Sequence, residues 1–295
     1  MSVITHKPEF NNVDSYQKLV DEFFELTEIE KDVFSPTTLT SSRQLHPSVT
    51  YGVDTRVPVT YHVRRIRDGR SFANRNVDAS QNSKICFVLQ CSFNVEGGQT
   101  ISHQSDIPKV PAPEMLMPQK DVVPEMMSLV ESGKMKLPFA MQERLEVYDQ
   151  NVYSNEKDLF EMRCTNLGNY YGFASDYEVK LSFWMKARGE LNNDERLHRW
   201  LIAYNSDFLL SNCVVTPHYS SGLNATMLLS LDHCVWFHES QVRADEWLLI
   251  ECESRIANKS RGLIEGRIWT RDGTLIATCQ QEVLVRSKEG ETSKL

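Results

Sequence analysis

Apolar and polar residues alternate from 59 to 66, with Val59, Tyr61 and Val63 on one side, and Arg67-Asp68-Gly69 then supplies a hairpin turn signal. Strands are expected next over 71–79 and 85–95, joined at Gln81-Asn82-Ser83. The same three-strand meander recurs over 247–253, 261–270 and 274–285, with Asp272-Gly273 at the tight turn. An offset of about 190 residues places Asn82 on Asp272, Ile85 on Leu275 and Phe93 on Val283. Upstream of the two meanders, Leu45-His46 resembles Asp232-His233. Two copies of one antiparallel unit predict an α+β chain built as a pseudo-dimer.

Each copy is preceded by a helix pattern. In the second, Asn192-Asn193-Asp194 supplies capping residues, and Leu197, Trp200, Leu201, Tyr204 and Phe208 form an amphipathic stripe. In the first, a helix is expected over 16–26 (Leu19, Val20, Phe23, Phe24), but it lies far upstream and a polar stretch follows it, so the halves are unequal. Six of the eleven prolines, Pro108, Pro111, Pro113, Pro118, Pro124 and Pro138, fall between the repeats and predict a surface linker. The expected organisation is an N-terminal repeat over 1–98, a linker over 99–142, a C-terminal repeat carrying the site over 143–286 and a tail over 287–295.

With 295 residues, 41% hydrophobic and 24% charged, the chain has the composition of a soluble globular protein. A net charge of -8 argues against nucleic acid or an anionic membrane as a general partner. Polar residues and Pro217 interrupt the longest stretch free of charged residues, 208–231, so no membrane span is expected. Residues 1–12 show no secretory pattern, which predicts an intracellular protein. The seven cysteines, Cys86, Cys91, Cys164, Cys213, Cys234, Cys252 and Cys279, contain no Cys-x-x-Cys pair and read as buried hydrophobes. Ser293-Lys294-Leu295 is the peroxisomal address, which a receptor reads on an exposed tail.

Three polar positions carry candidate chemistry. On the last strand Gln281 shares its face with Leu275, Ala277, Cys279, Val283 and Val285, and a buried amide without partners costs about 1 to 3 kcal/mol. The repeat puts Cys91 at the matching place, so the fold itself does not demand an amide there. Asp207 lies about 20° beyond Trp200 at the edge of the helix stripe, where it can face a groove beside the sheet. Ser230 lies on a strand expected over 227–238, on the side of Leu228, Asp232, Cys234 and Trp236. By pattern alone, Gln281 reads equally well as a loop-bonding glutamine, whereas Asp207 reads as a solvated helix residue and Ser230 as an idle hydroxyl. Arg64, Arg65, Arg67 and Arg70 form a basic cluster that is either a solvated hairpin end or an attractor of phosphates. No Gly-x-Ser-x-Gly elbow, Walker loop or His-Glu-x-x-His motif is present. His233 and His238 fall on opposite strand faces, so no metal site is expected.

Several runs together resemble the type II acyl-CoA thioesterases, and their peroxisomal branch most. They are Trp184-Met185-Lys186-Ala187-Arg188-Gly189, the helix end Ala203-Tyr204-Asn205-Ser206-Asp207-Phe208, the run from Leu231 through His238, Glu246-Trp247-Leu248-Leu249 and Gln281-Glu282. Tyr61-His62-Val63-Arg64-Arg65-Ile66-Arg67-Asp68-Gly69-Arg70-Ser71-Phe72 adds the first half. The resemblance implies a double hotdog fold and hydrolysis of acyl-CoA to fatty acid and CoA without a cofactor. It also implies that Asp207, Ser230 and Gln281 hold the attacking water, with serine where some relatives have threonine. The expected partners are the acyl-CoA substrate, with Arg64 and Arg65 as candidates for its phosphates, and the import receptor through Ser293, Lys294 and Leu295. Homo-oligomerisation is left open.

The chain departs from the family pattern where a Gly-Gly-Gln-bearing segment ordinarily supplies the central helix of the first hotdog. Here Ser41-Ser42-Arg43-Gln44 runs into Leu45-His46-Pro47-Ser48, which predicts a first sheet without its usual cover. The alternatives are an enzyme with compensating packing, an inactive splice form or incomplete gene model, and a non-catalytic acyl-CoA-binding homologue. A hydratase on the same architecture is the weakest reading, since its Asp/His motif is missing.

Overall fold

The computed structural model describes the strand backbone at 26–30 and 33–36, and then residues 54, 56–95, 97–98, 100–137, 142, 145, 159–173, 178–207 and 210–287. The helix expected over 16–26 lies outside these residues except for Leu26, which opens a strand. Leu45-His46, Phe208 and the terminal tripeptide also lie outside them. The chain divides into two compact units, one holding 106–229 and 234–287, the other holding the first five strands together with Ser230–His233.

The first sheet is antiparallel in sequential order: β1 (Leu26–Glu30), β2 (Val33–Pro36), β3 (Thr60–Asp68), β4 (Phe72–Gln81) and β5 (Lys84–Asn94). Its last hairpin turns on Asn82 and Ser83, at φ 49° and 63°, the paired left-handed conformation that matches the twist of two antiparallel strands. Tyr61, Ala79 and Phe87 face one another across three strands, as do Val63, Val77 and Leu89. The Gln81 amide closes the sheet end by accepting from Asp54 N at 3.0 Å and donating to Asp54 O at 2.9 Å. No helix occurs among the described residues of this unit, and Phe72, Ile85, Val88 and Phe93 are 52–57% exposed.

The second unit contains α1 (Gln119–Glu131), β6 (Phe160–Cys164), α2 (Leu167–Tyr171), β7 (Lys180–Ala187), α3 (Glu195–Asp207), α4 (Leu210–Tyr219), β8 (Ala225–Ser230), β9 (Cys234–Phe237), β10 (Leu248–Asn258), β11 (Arg261–Thr270) and β12 (Leu275–Ser287). Its sheet runs β6-β7-β10-β11-β12-β8, with β9 also paired to β12. Leu210, Cys213, Val214 and Val215 of α4 pack on Leu181, Cys252, Ile264, Cys279 and Val283 of the sheet. Each large apolar side chain so buried contributes about 1.5 to 3 kcal/mol. The helix lies close because β11 presents glycines: a Cβ at Gly262 would meet Val214 Cγ1 at 2.6 Å. The opposite sheet face, at Trp184, Leu249 and Trp269, is covered by Ile107, Val110 and Leu116.

The proline-rich segment is therefore more than a connection. Trp184 Nε1 donates to Pro111 O at 2.9 Å, and Arg163 Nη1 donates to Pro113 O at 2.7 Å. Gln119, at the start of α1, is buried, donates to Tyr171 Oη at 2.5 Å and accepts from Cys164 Sγ at 3.3 Å. Prolines that lack a donor here leave carbonyls that the sheet side chains use.

Two expectations are corrected. The strand expected over 227–238 is two strands, β8 and β9, because Leu231-Asp232-His233 interrupts the extended backbone before Cys234 pairs with Gln280. The buried side of α3 carries Leu197, His198, Leu201, Ile202, Asn205 and Ser206, about a quarter-turn from the predicted stripe, and Tyr204 is 39% exposed. Two of its polar side chains are paired there: His198 Nδ1 accepts Ala244 N–H at 3.1 Å, and Ser206 Oγ donates to Ala203 O at 2.7 Å. The helix begins where expected, with Asp194 Oδ1 accepting Arg196 N–H at 3.0 Å.

Candidate active site

Asp207 is the last residue of α3 and Gln281 sits in the middle of β12, 74 residues later. Alternation along β12 buries Ala277, Cys279, Gln281 and Val283 on one side, and Gln281 is 0% exposed. Its Nε2 donates to Asp207 Oδ1 at 2.6 Å, so the amide read from the strand pattern and the carboxylate read from the helix end meet. Asp207 is half-buried.

Cys279 belongs to the core packed beneath α4. Its Sγ donates to the Ser206 carbonyl at 3.6 Å, and burial together with the Asp207 carboxylate pushes its pKa up to about 12. A thiol so held stays protonated and is no nucleophile. Sequence reasoning classed Cys279 only as a small hydrophobe, although its place two residues before Gln281 on the same strand face was already readable.

Ser230 closes β8, the strand beside β12; it is half-buried and grouped with the other unit. The structure thus joins two of the three expected positions by a direct contact. Arg64 is engaged in an ion pair with Asp78 at 3.2 Å, and β-alternation sends the adjacent Arg65 to the opposite side of β3. The basic cluster is accordingly split between two faces. Among the described residues no group of three His, Cys, Asp or Glu side chains is placed to hold a metal, and no helix is long and apolar enough to cross a membrane.

Asp245 braces the approach to α3. Burial would raise its carboxyl, but the Arg243 guanidinium, with Nη2 at 2.6 Å, and the Leu191 amide, at 2.8 Å, outweigh it and hold the group below the usual carboxylate range. His198, buried on α3, donates from Nε2 to Asn192 O at 3.0 Å while its other nitrogen accepts from Ala244.

Comparison with known proteins places this geometry in a family context. Residues 156–285 match the family described as "Acyl-CoA thioesterase C-terminal domain", and residues 33–94 match "Acyl-CoA thioesterase N-terminal domain". Acyl-coenzyme A thioesterase 8 of Rattus norvegicus is 36% identical over 236 residues, covering 80% of this chain and 70% of that protein. Acyl-CoA thioesterase 2 of Haemophilus influenzae is 33% identical over 241 residues, covering 80% and 76%. Among solved structures, an acyl-CoA thioesterase II from Mycobacterium marinum superposes with a TM-score of 0.68 at 25% identity, covering 92% of this chain and 100% of that one. A hot dog fold protein from Alicyclobacillus acidocaldarius, at TM-score 0.54 and 10% identity, shares the fold alone. The architecture is the α+β double hotdog.

Proposed function

Because the chain belongs to the type II acyl-CoA thioesterase family, we propose that it hydrolyses acyl-CoA to free fatty acid and CoA, with Asp207, Ser230 and Gln281 holding the attacking water. The observation that carries the reading is the 2.6 Å hydrogen bond from Gln281 Nε2 to Asp207 Oδ1. The amide fixes one carboxylate oxygen, and the carboxylate takes a proton from water as the water oxygen attacks the thioester carbonyl carbon. The C–O bond forms, the C–S bond breaks, and the departing CoA thiolate takes up the proton held by Asp207 and leaves as the free thiol. The Ser230 hydroxyl orients the same water. Water is the only co-reactant this chemistry needs, and Cys279, its pKa pushed up to about 12 by burial, takes no part as a nucleophile.

The test is thiol release from a series of short to long acyl-CoAs. Replacing Asp207 with asparagine is expected to lower kcat by about 100- to 10,000-fold, the usual worth of a positioned general base. An unchanged rate would remove the assignment. The exposed apolar side chains of the first sheet favour one other reading, a homologue that binds acyl-CoA without turning it over. Stoichiometric binding with no thiol release would establish it.

The proposal includes a peroxisomal location, supported by the name of a Saccharomyces cerevisiae relative, "Peroxisomal acyl-coenzyme A thioester hydrolase 1", 25% identical over 270 residues. Removing Ser293-Lys294-Leu295 is expected to shift an amino-terminally labelled protein from peroxisomes to the cytosol under the microscope.

A further inference from the structure

The last turn of α3 and the first residue of α4 meet a recess in the sheet. Gly266 of β11 stands opposite Cys279 of β12, and a Cβ at Gly266 would meet Cys279 Sγ at 2.4 Å and Leu210 Cδ2 at 3.0 Å. The missing side chain makes room for the thiol and for the first residue of α4. The thiol reaches the carbonyl of Ser206, immediately before Asp207, at 3.6 Å. Leu210, three residues after Asp207, drops into the same recess and is 1% exposed. The carboxylate is thus bracketed by two anchors on the floor made by Gly266, while Gln281 meets it from the strand that bears Cys279.

We propose that Cys279 is a positioning residue for the Asp207–Gln281 pair, its thiol seated over Gly266 and tied to the Ser206 carbonyl so that the last turn of α3 sits at the height at which the amide reaches the carboxylate. The inference rests on the water-holding role proposed for that pair. Raised by burial and by its carboxylate neighbour, the thiol keeps its proton and remains a donor throughout the working pH range. Serine at this place keeps a donor on a shorter bond, whereas alanine keeps none and leaves a void.

The experiment measures kcat and KM for thiol release in full-length Cys279→Ala, Cys279→Ser, Gly266→Ala and the Gly266→Ala/Cys279→Ala double variant, with Asp207→Asn alongside. A carboxylate displaced by a fraction of an ångström is expected to lower kcat about tenfold in Cys279→Ala, with KM within about twofold and much of the loss recovered in Cys279→Ser. Gly266→Ala is expected to cost less in the alanine background than alone, because the sulfur it collides with is gone. A parental kcat in both Cys279 variants, or independent effects at the two positions, overturns the inference. Should Cys279→Ala fail to fold, Cys279→Ser decides, since a parental kcat there with Gly266→Ala equally unaffected overturns it as well. Asp207→Asn separates the two levels. Parental turnover in that variant removes the site reading and this inference with it, whereas an inactive Asp207→Asn beside fully active Cys279 variants removes the inference alone.

Discussion

Gln281 directs a buried amide at the Asp207 carboxylate, and the energetics of that contact set what its loss would do. A buried donor aimed at Asp207 is worth more than an exposed one, since the low dielectric strengthens the bond and penalises its absence. Gln281→Leu keeps the volume and removes the donor; thiol release is expected to fall about 10- to 100-fold, while the melting temperature shifts by no more than a few degrees. Nearby, the protonated Cys279 thiol predicts selective chemistry. Iodoacetamide at pH 8 should label exposed Cys234 and spare Cys279 in the folded protein, read by peptide mass spectrometry, with Cys279 labelled only after unfolding. At this scale the sequence was informative where periodicity is strict: a strand has two faces, so Gln281 had to lie among apolar residues. It was less informative for Asp207, because a helix position near the edge of a stripe is compatible with solvent and with a groove.

The elements show why that difference arises. The meanders were legible because alternation and turn residues specify hairpins locally, and both the Asn82-Ser83 turn and the Asp272-Gly273 turn sit between the strands expected. Helix α4 was not read, since its sequence is uncharged, carries Pro217 and is buried by glycines of a strand about fifty residues later, a long-range fit that no local window contains. The rotation of α3 has the same origin, because His198 becomes a suitable core residue only through Ala244, a partner far along the chain. Gly262→Val should therefore destabilise the second unit by about 1 to 3 kcal/mol through collision with Val214, seen as a lowered denaturation midpoint. The Asp245 clip gives this region a pH dependence. Its folded carboxyl titrates below its unfolded value, so its contribution is complete above the ordinary carboxylate range of about 4 and is lost as pH falls through the lower folded value. Asp245→Asn should be less stable near neutrality and should show a shallower loss of stability with acid, measured by urea denaturation from pH 7 down to pH 3.

For the whole molecule, the internal repeat was the most readable feature and the inequality of its copies the most consequential. The second copy buries both faces of its central strands, one under α4 and the other under the segment 106–118. The first copy leaves Phe72, Ile85, Val88 and Phe93 more than half exposed among the described residues, in keeping with the shortened stretch read before its meander. Composition could not assign the proline-rich segment to either copy, because prolines mark irregular backbone without saying what lies beneath it. Its attachment through Pro111, Pro113 and Gln119 has a bearing on how such a chain could be divided or inherited in pieces. A fragment starting at residue 106 carries its own roof, whereas one starting at 143 bares Trp184 and Trp269 to water. The longer fragment should give a blue-shifted tryptophan emission and the shorter one a red-shifted emission and a tendency to aggregate. The natural seam of this chain, for a genome rearranging it or a laboratory dissecting it, would then fall before the prolines rather than after them.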